Sequence, residues 1–167
     1  MPYRNKTYVC FDADTDMWAY KYMVGWKNND NIDFDFYNAH DLNNLREGSS
    51  ESTIKAKLRE RMKNSKLFLA LIGEKTKNLF RFVRWEMEIA IELEIPIVVV
   101  YLNKSKSMDS SVCPLILRDI LALHIPYKQS IIKWAIDNWP TINAGYKTKN
   151  DKKPKIITAE KYKKLEE

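Results

Sequence analysis

The sequence predicts a three-layer α/β domain whose parallel, five-stranded sheet is doubly wound, with helices on both faces. Apolar runs of strand composition recur along the chain at spacings that leave room for one helix between each pair. Two of these runs, LFLALI and PIVVVYL, are apolar throughout, which is typical of central parallel strands covered on both faces. Because strands alternate with helices, right-handed crossovers and a flavodoxin-like fold are favoured.

Five short segments are the strand candidates. The segment DFDFY alternates between polar and apolar residues, as an edge strand does, whereas the other four are more continuously apolar. The predicted strands are 7–11, 33–37, 67–72, 96–102 and 120–125.

Apolar residues at helical spacing predict the helices between and after these strands. The predicted helices are 16–26, 52–65, a segment around Glu86, and 130–139. The segment SVCPLIL, between the fourth and fifth strands, leaves barely enough room for one more helix.

Composition indicates one folded domain and a charged tail. The chain has 167 residues, of which 45% are hydrophobic, and this is enough for one ordinary core. Residues 146–167 hold eight lysines, four acidic residues and no arginine, and thereby supply most of the net charge of +6. We therefore predict an α/β domain over 1–145 and a lysine-rich, solvated C-terminal tail over 146–167, whose removal after Gly145 leaves the fold intact.

Several classes of function lack their sequence signature. Nucleic-acid readers concentrate arginine and aromatic residues on a folded face, so we expect no nucleic-acid partner. No apolar run of about 18 residues and no apolar N-terminal stretch occurs, so we expect a cytoplasmic protein with no membrane partner. Two cysteines without CxxC spacing and two histidines predict no metal site. Only four glycines and no GxGxxG or GxxxxGK[ST] pattern exclude a Rossmann dinucleotide site and a P-loop.

In open α/β sheets, ligands bind at the carboxyl ends of the strands, where the strand order reverses. The loops expected at this edge are 12–16, 38–41, 73–78 and the segment from 103 onward. In the first loop, FDADTD, an Mg²⁺ pocket of the receiver kind is one interpretation, but the receiver landmarks on the third and fifth strands are missing. We favour Asp14 and Asp16 as caps of the first helix, with Asp12 available to a ligand. In the second loop, His40 and Asp41 could orient a ribose or act as an acid/base pair, but we favour turn formation.

Glu86 stands out because it occupies the apolar stripe of its helix. At about 100° per residue, apolar neighbours on both sides lie within roughly 60° of its direction. Burying an unpaired charge costs several kcal/mol, so this carboxylate must be partnered, neutralised or placed at the edge of a cavity. A catalytic role and a structural one, in which loop N–H groups hold the carboxylate, are both open at this point.

The stretch FRFVRWEMEIAIELEIPIVVVYL, with LFLALIGEKT before it, resembles the core between the third and fourth strands of TIR and TIR-like domains. In those domains an aromatic residue stands four positions before a glutamate, and Phe82 and Glu86 occupy these positions here. The form from Arg81 to Glu86 is most similar to the TIR-like subfamily that includes the NAD-processing subunit of Thoeris anti-phage systems. The resemblance continues weakly through YVCFDADTD and FDFYNAHDL and covers roughly residues 7–139.

The resemblance implies that Glu86 is the catalytic carboxylate for cleavage of the bond between nicotinamide and ribose in NAD⁺. Loss of nicotinamide passes through an oxocarbenium-like ribose, whose positive charge a carboxylate stabilises. Water or an internal nucleophile then gives ADP-ribose or a cyclic isomer. NAD⁺ is the substrate, and no other cofactor is expected. The expected substrate-binding residues are Phe11, Asp12, Ala13, Asp14, His40, Asp41, Phe82 and Trp85.

The expected partners besides NAD⁺ are an effector protein that senses the product and further copies of the chain. Two other functions stay open. One is a non-catalytic signal-transduction module, because many TIR domains act by binding other TIR domains. The other is an enzyme resembling nucleoside deoxyribosyltransferases, which use a comparable glutamate in a related fold.

Overall fold

A computed structural model describes residues 6–31, 34, 37–38, 50–79 and 81–166. Its strands are β1 (Lys6–Cys10), β2 (Tyr37–Asn38), β3 (Leu67–Ile72), β4 (Ile97–Tyr101), β5 (Leu123–Pro126) and β6 (Lys155–Ile156). They form one sheet in the order β2-β1-β3-β4-β5-β6, and every neighbouring pair is parallel. The first five strands and their order confirm the predicted flavodoxin-like fold.

The helices cover both faces of the sheet. They are α1 (Met17–Asn28), α2 (Glu51–Met62), α3 (Phe82–Glu92), α4 (Gln129–Thr148) and α5 (Ala159–Glu166), with 3-10 helices at Thr76–Asn78 and Leu115–Leu117. Helices α1, α4 and α5 pack on one face, whereas α2, α3 and the second 3-10 helix pack on the other. Within the described ranges, the helices lack the combination of length and apolar sequence that crossing a membrane requires.

The central strands explain the two-sided core. All residues of β3 and β4 are buried, because each strand sends alternate side chains to opposite helical layers. Leu67, Leu69 and Leu71 face α1 and α4, whereas Phe68 and Ala70 face α2 and α3. Each large side chain buried in this way contributes about 1.5–3 kcal/mol.

Most element boundaries differ from the predictions by a few residues, whereas α4 ends nine residues later than predicted. The described part of the second strand is Tyr37–Asn38, where the sequence predicted 33–37. Of the other residues predicted for it, only Phe34 lies among the described ones. Its buried ring meets Trp26 edge to face, with centroids 5.3 Å apart. Helix α2 begins one residue earlier than predicted, because the hydroxyl of Ser50 accepts the N–H of Thr53 and caps it.

The lysine-rich segment is folded, so the prediction of a solvated tail is wrong. Helix α4 continues to Thr148, β6 extends the sheet beyond β5, and α5 packs against α4. Ile157 and Tyr162 are buried in the core on this face. Most lysines stand on the outer side of these elements, and some lie over aromatic rings, such as Lys155 over Tyr146 at 4.3 Å.

A buried polar pair joins the end of β4 to the first half of β5. The hydroxyl of Tyr101 lies 2.7 Å from Nδ1 of His124, and both residues are fully buried. Nε2 of His124 is buried too and has no hydrogen-bond partner among the described residues. Burial lowers the pKa of His124 to about 4, because the imidazolium form would carry a second N–H with no acceptor.

We expect His124 to make folding depend on pH. Its pKa is about 4 in the folded chain and about 6.5 in an unfolded one, so the unfolded chain binds more protons between these values. The contribution of His124 to the free energy of unfolding is therefore fully present above pH ~6.5. About 3 kcal/mol of stability is lost as the pH drops towards ~4. Urea unfolding across this range measures the loss.

The matched variant is His124→Asn, which keeps a hydrogen-bonding group for Tyr101 but does not titrate. Its stability is expected to fall less steeply than that of the native chain over the same pH range. The difference between the two curves is the contribution of His124. Parallel curves for the two proteins would contradict the assignment.

Candidate functional site at the carboxyl edge of the sheet

A crevice of about 440 Å³ lies at the carboxyl ends of β1, β3 and β4. It lies where the strand order reverses between β1 and β3, as the general rule for open α/β sheets requires. Three of the four loops expected from the sequence contribute to it. The described residues that line it are Thr15, Asp16, Trp18, Ile72, Gly73, Glu74, Lys75, Leu102, Asn103 and Val112.

Asp16 and Gly73 meet at the bottom of this crevice. A Cβ atom at Gly73 would overlap the carboxylate of Asp16, so any larger residue there would force the Asp16 side chain to move. Oδ2 of Asp16 is buried and has no hydrogen-bond partner among the described residues. Burial raises the pKa of Asp16, and the negative charge of Asp12 raises it further. Asp16 is thus a largely buried carboxyl group at the wall of the crevice. A polar ligand group there could supply the hydrogen bond that Oδ2 lacks.

Replacing Gly73 by Ala is expected to destabilise the fold by about 2 kcal/mol, because the new methyl group displaces the Asp16 side chain. Adding Asp16→Ala to this variant removes the overlap. The double variant is therefore expected to be more stable than the sum of the single effects by about 1 kcal/mol or more. Urea denaturation of the four proteins gives this coupling.

Gly25→Ala is the control, because a Cβ at Gly25 meets nothing within 4 Å. Gly25 lies inside α1, so the change is expected to be neutral or to stabilise by about 0.5–1 kcal/mol. If Gly73→Ala behaved like Gly25→Ala, the close approach of Asp16 would be refuted.

The acidic loop after β1 is arranged differently from the prediction. The carboxylate of Asp12 accepts the N–H of Asp14 at 3.0 Å and the hydroxyl of Thr15 at 2.7 Å. Asp12 therefore holds the loop together through both oxygens of its carboxylate. Asp16 stands at the N-cap of α1, but its side chain makes no capping hydrogen bond, and Asp14 is exposed. The prediction that these two side chains cap the helix is wrong, because Asp16 packs against Gly73 instead.

Glu86 lies on the inner face of α3 and is 3% exposed, which confirms the inward direction predicted from helical periodicity. Tyr8 and Cys10 of β1 lie against its carboxylate. Burial raises the pKa of both groups, and the negative charge of the nearby Glu86 raises it further. Both side chains are therefore protonated and neutral at neutral pH. Glu86 is not among the described residues that line the crevice.

The two aromatic residues near Glu86 pack together. The rings of Phe82 and Trp85 meet edge to face with centroids 5.7 Å apart. The Nζ atom of Lys55, on α2, and the guanidinium of Arg81 lie 5.9 Å and 5.8 Å from the Trp85 ring. Trp85 therefore belongs to the contact between α2 and α3, whereas Phe82 is half-buried beside it.

The remaining predicted substrate-binding residues have different surroundings. The ring of Phe11 stacks on Tyr20 in the core beneath α1, on the opposite face of the sheet from α3. Ala13 and Asp14 are exposed in the loop after β1. His40 and Asp41 lie outside the described residues.

Sequence reasoning missed Tyr8, Cys10 and Asp16. Tyr8 and Cys10 stand two apart on β1 and so face the same side of the sheet, the side of Phe68 and Ala70, with which β1 is in register. The two-residue period of a strand predicts that Tyr8 and Cys10 face the same side of the sheet. Their proximity to Glu86 depends on how α3 crosses the sheet, which the sequence does not show. Asp16 gave no local signal, because its position depends on Gly73, which is distant in sequence.

Comparison with known families connects this geometry to one of them. The sequence model described as "Thoeris protein ThsB, TIR-like domain" matches residues 8–107, which is more than half of the chain. The match runs from β1 through β4 and includes Asp12, Asp16, Gly73 and Glu86. The chain therefore belongs to the family of Thoeris ThsB TIR-like domains, and it is a TIR-like signalling module of that defence system.

Proposed function

We propose that this domain cleaves the bond between nicotinamide and ribose in NAD⁺, with Glu86 as the catalytic carboxylate. The observation that carries the proposal is a carboxylate that is 3% exposed on the inner face of α3, in a domain of this family. An ordinary amphipathic helix has an apolar residue at such a position. A carboxylate at such a position is a candidate for a functional group, and stabilising a cation is the simplest task for it.

Tyr8 and Cys10 support this role. Their raised pKa values keep both groups neutral, so these neighbours on β1 bring no opposite charge to Glu86. The carboxylate is also almost fully buried. Electrostatic stabilisation is most effective in such a site with little water.

The chemistry follows from the charge. As the bond from C1′ of the ribose to the nicotinamide nitrogen breaks, the bonding electrons leave with neutral nicotinamide, and C1′ becomes oxocarbenium-like. Glu86 stabilises that positive charge. Water then adds to C1′ and loses a proton, which gives ADP-ribose, or a nucleophile of the same molecule adds and gives a cyclic isomer. Either product is a suitable signal for an effector protein.

The test is to incubate the full chain with NAD⁺, alone and with lysate from phage-infected cells, and to measure nicotinamide release by chromatography. Release that depends on added chain supports the proposal. Release equal to that of lysate without the chain, under every condition, contradicts it and leaves the second candidate.

The second candidate is a non-catalytic module that acts by assembly. The exposed aromatic residues of α1 favour it, because Trp18 and Tyr22 are 46% and 61% exposed. Together with Trp26 they flank a shallow, almost wholly apolar groove. Large exposed aromatic side chains in one patch are typical of protein contact surfaces. Light scattering of the chain and of Tyr22→Ala, before and after addition of infected lysate, separates assembly from catalysis.

A further inference from the structure

A second cleft of about 440 Å³ lies at the opposite edge of the sheet, at the amino ends of β4 and β5. One length of β4 separates it from the crevice described above, which is about 13 Å at 3.3 Å per residue. Apolar side chains form its floor, among them Ile95, Ile97 and Ile120. Its volume is within the range of small-molecule sites, and nothing in the proposed chemistry uses it.

The polar group at the base of this cleft is Asn143 of α4. Asn143 is 2% exposed, and its side chain lines the cleft. It stands four and seven residues after Trp139 and Ile136, on the buried stripe of the helix, where a leucine would be expected. Among the described residues, its amide is not one of the fully enclosed polar groups that lack a partner, and it is open to the cleft. A ligand group in the cleft can therefore pair with it in place of water.

The chemistry of the walls selects the ligand. A side-chain amide offers a donor beside an acceptor and pairs with the N6 and N7 edge of adenine, whereas guanine shows two acceptors there. The isoleucine floor suits the face of a planar ring. Two cations stand at the rim, Lys147 and Lys152. Lys147 already donates to the carbonyl of Glu94 at 2.7 Å, and Lys152 forms no ion pair with the described residues.

We propose that this cleft binds an adenine mononucleotide, with the base edge on Asn143, the ring on the isoleucine floor and the phosphate at Lys152 and Lys147. The acidic residues at the rim, Glu94 and Asp119, are suited to accept hydrogen bonds from ribose hydroxyls and disfavour a longer, more highly charged phosphate chain. This binding does not depend on the activity of Glu86.

The experiment is a titration of the full chain with AMP, followed by calorimetry and by amide NMR shifts. AMP is expected to bind at one site and to shift the amides of residues 91–97, 119–121 and 143–152 rather than those of 12–16 and 73–75. GMP is expected to bind at least about tenfold more weakly, because its base edge does not match the amide. Adenosine and inorganic phosphate are each expected to bind more weakly than AMP.

Three variants separate a ligand site from a structural asparagine. Asn143→Leu is expected to keep or raise the melting temperature, since it places an apolar side chain on the buried stripe of α4, and to weaken AMP binding by about tenfold or more. Lys152→Glu is expected to weaken the binding of AMP but not that of adenosine. Glu86→Gln is expected to leave AMP binding unchanged, which separates this site from the proposed active site.

Any of three results would overturn the proposal: no binding at millimolar AMP, unchanged AMP affinity in a folded Asn143→Leu variant, or shifts confined to the carboxyl edge of the sheet. Inorganic phosphate binding as tightly as AMP would also overturn it, because only the lysines would then be involved.

Discussion

Replacing Glu86 by Gln is expected to reduce nicotinamide release from NAD⁺ by about a thousandfold while the domain remains folded. The change keeps the size of the side chain and removes its charge, so the stabilisation of the oxocarbenium-like ribose is lost. A thousandfold loss corresponds to about 4 kcal/mol of transition-state stabilisation, in the range observed when one preorganised electrostatic group is removed. Since the neutral amide of the variant places no charge in the core, the melting temperature is expected to stay the same or to rise.

The same helix supplies a matched control in Glu88. Its carboxylate lies 3.1 Å from Arg84 and 3.2 Å from Lys55, and its side chain is 34% exposed. Glu88→Gln also removes one negative charge from α3, but these surface pairs contribute only a few tenths of a kcal/mol to about 1 kcal/mol. It is expected to retain nicotinamide release. If Glu88→Gln lost activity as fully as Glu86→Gln, or if Glu86→Gln kept it, the catalytic assignment would fail.

Replacing Ile157 by Ala is expected to destabilise the domain by about 2–4 kcal/mol, the usual range for a buried isoleucine. Ile157 is 6% exposed and belongs to the core beneath α4 and α5. Removal of all residues after Gly145 deletes β6 and α5 together and exposes this core, so the truncated chain is expected to be less stable by more than this amount or to fail to fold. Thermal and urea unfolding of the full chain and the variants give these values.

Ile156 is the control for this prediction, because it is the preceding residue, has the same side chain and is 56% exposed. Ile156→Ala is expected to change stability by no more than about 0.5 kcal/mol. Equal effects at the two positions would show that β6 and α5 do not pack on the domain as described. A truncated chain as stable as the full one would restore the prediction of a solvated tail.

The sequence was a good guide wherever one local period decides the structure. The unbroken apolar runs of β3 and β4 predicted central strands, and both strands are fully buried. Helical periodicity predicted that Glu86 faces inward, and the residue is buried. Strand order and the crevice at the reversal point followed from general rules for α/β sheets.

The prediction of a solvated C-terminal segment was wrong because a count of charges does not show how the charges are arranged. Eight lysines in 146–167 indicate solvation, but Ile157 and Tyr162 form a narrow apolar stripe on which the segment folds. Lysines can surround such a stripe at little cost, since their stems cover apolar surface and their charges reach water. Lys106, far away in sequence, even lies over the Tyr162 ring at 4.8 Å.

The site was harder to predict than the fold, because its contacts join distant segments. Asp12 and Asp16 are four residues apart, and sequence offered no means to decide which one holds the loop and which one meets Gly73. Tyr8 and Cys10, which lie near Glu86, come from β1, more than seventy residues away along the chain. Only the crossing of α3 over the sheet brings them together, and no local pattern encodes that crossing.

The short strand β6 has a consequence for the solubility of the domain. Without it, β5 would present an open row of backbone donors and acceptors at the edge of the sheet, which is a template for joining sheets of neighbouring molecules. β6 occupies that row, with the N–H of Lys155 donating to the carbonyl of Ala122 at 2.8 Å. It offers only two paired residues of its own, follows Pro154 and carries lysine charge. An extended peptide, or the strand of a second copy, therefore has few backbone groups to pair with at this edge. In this way β6 protects its edge of the sheet from edge-to-edge aggregation.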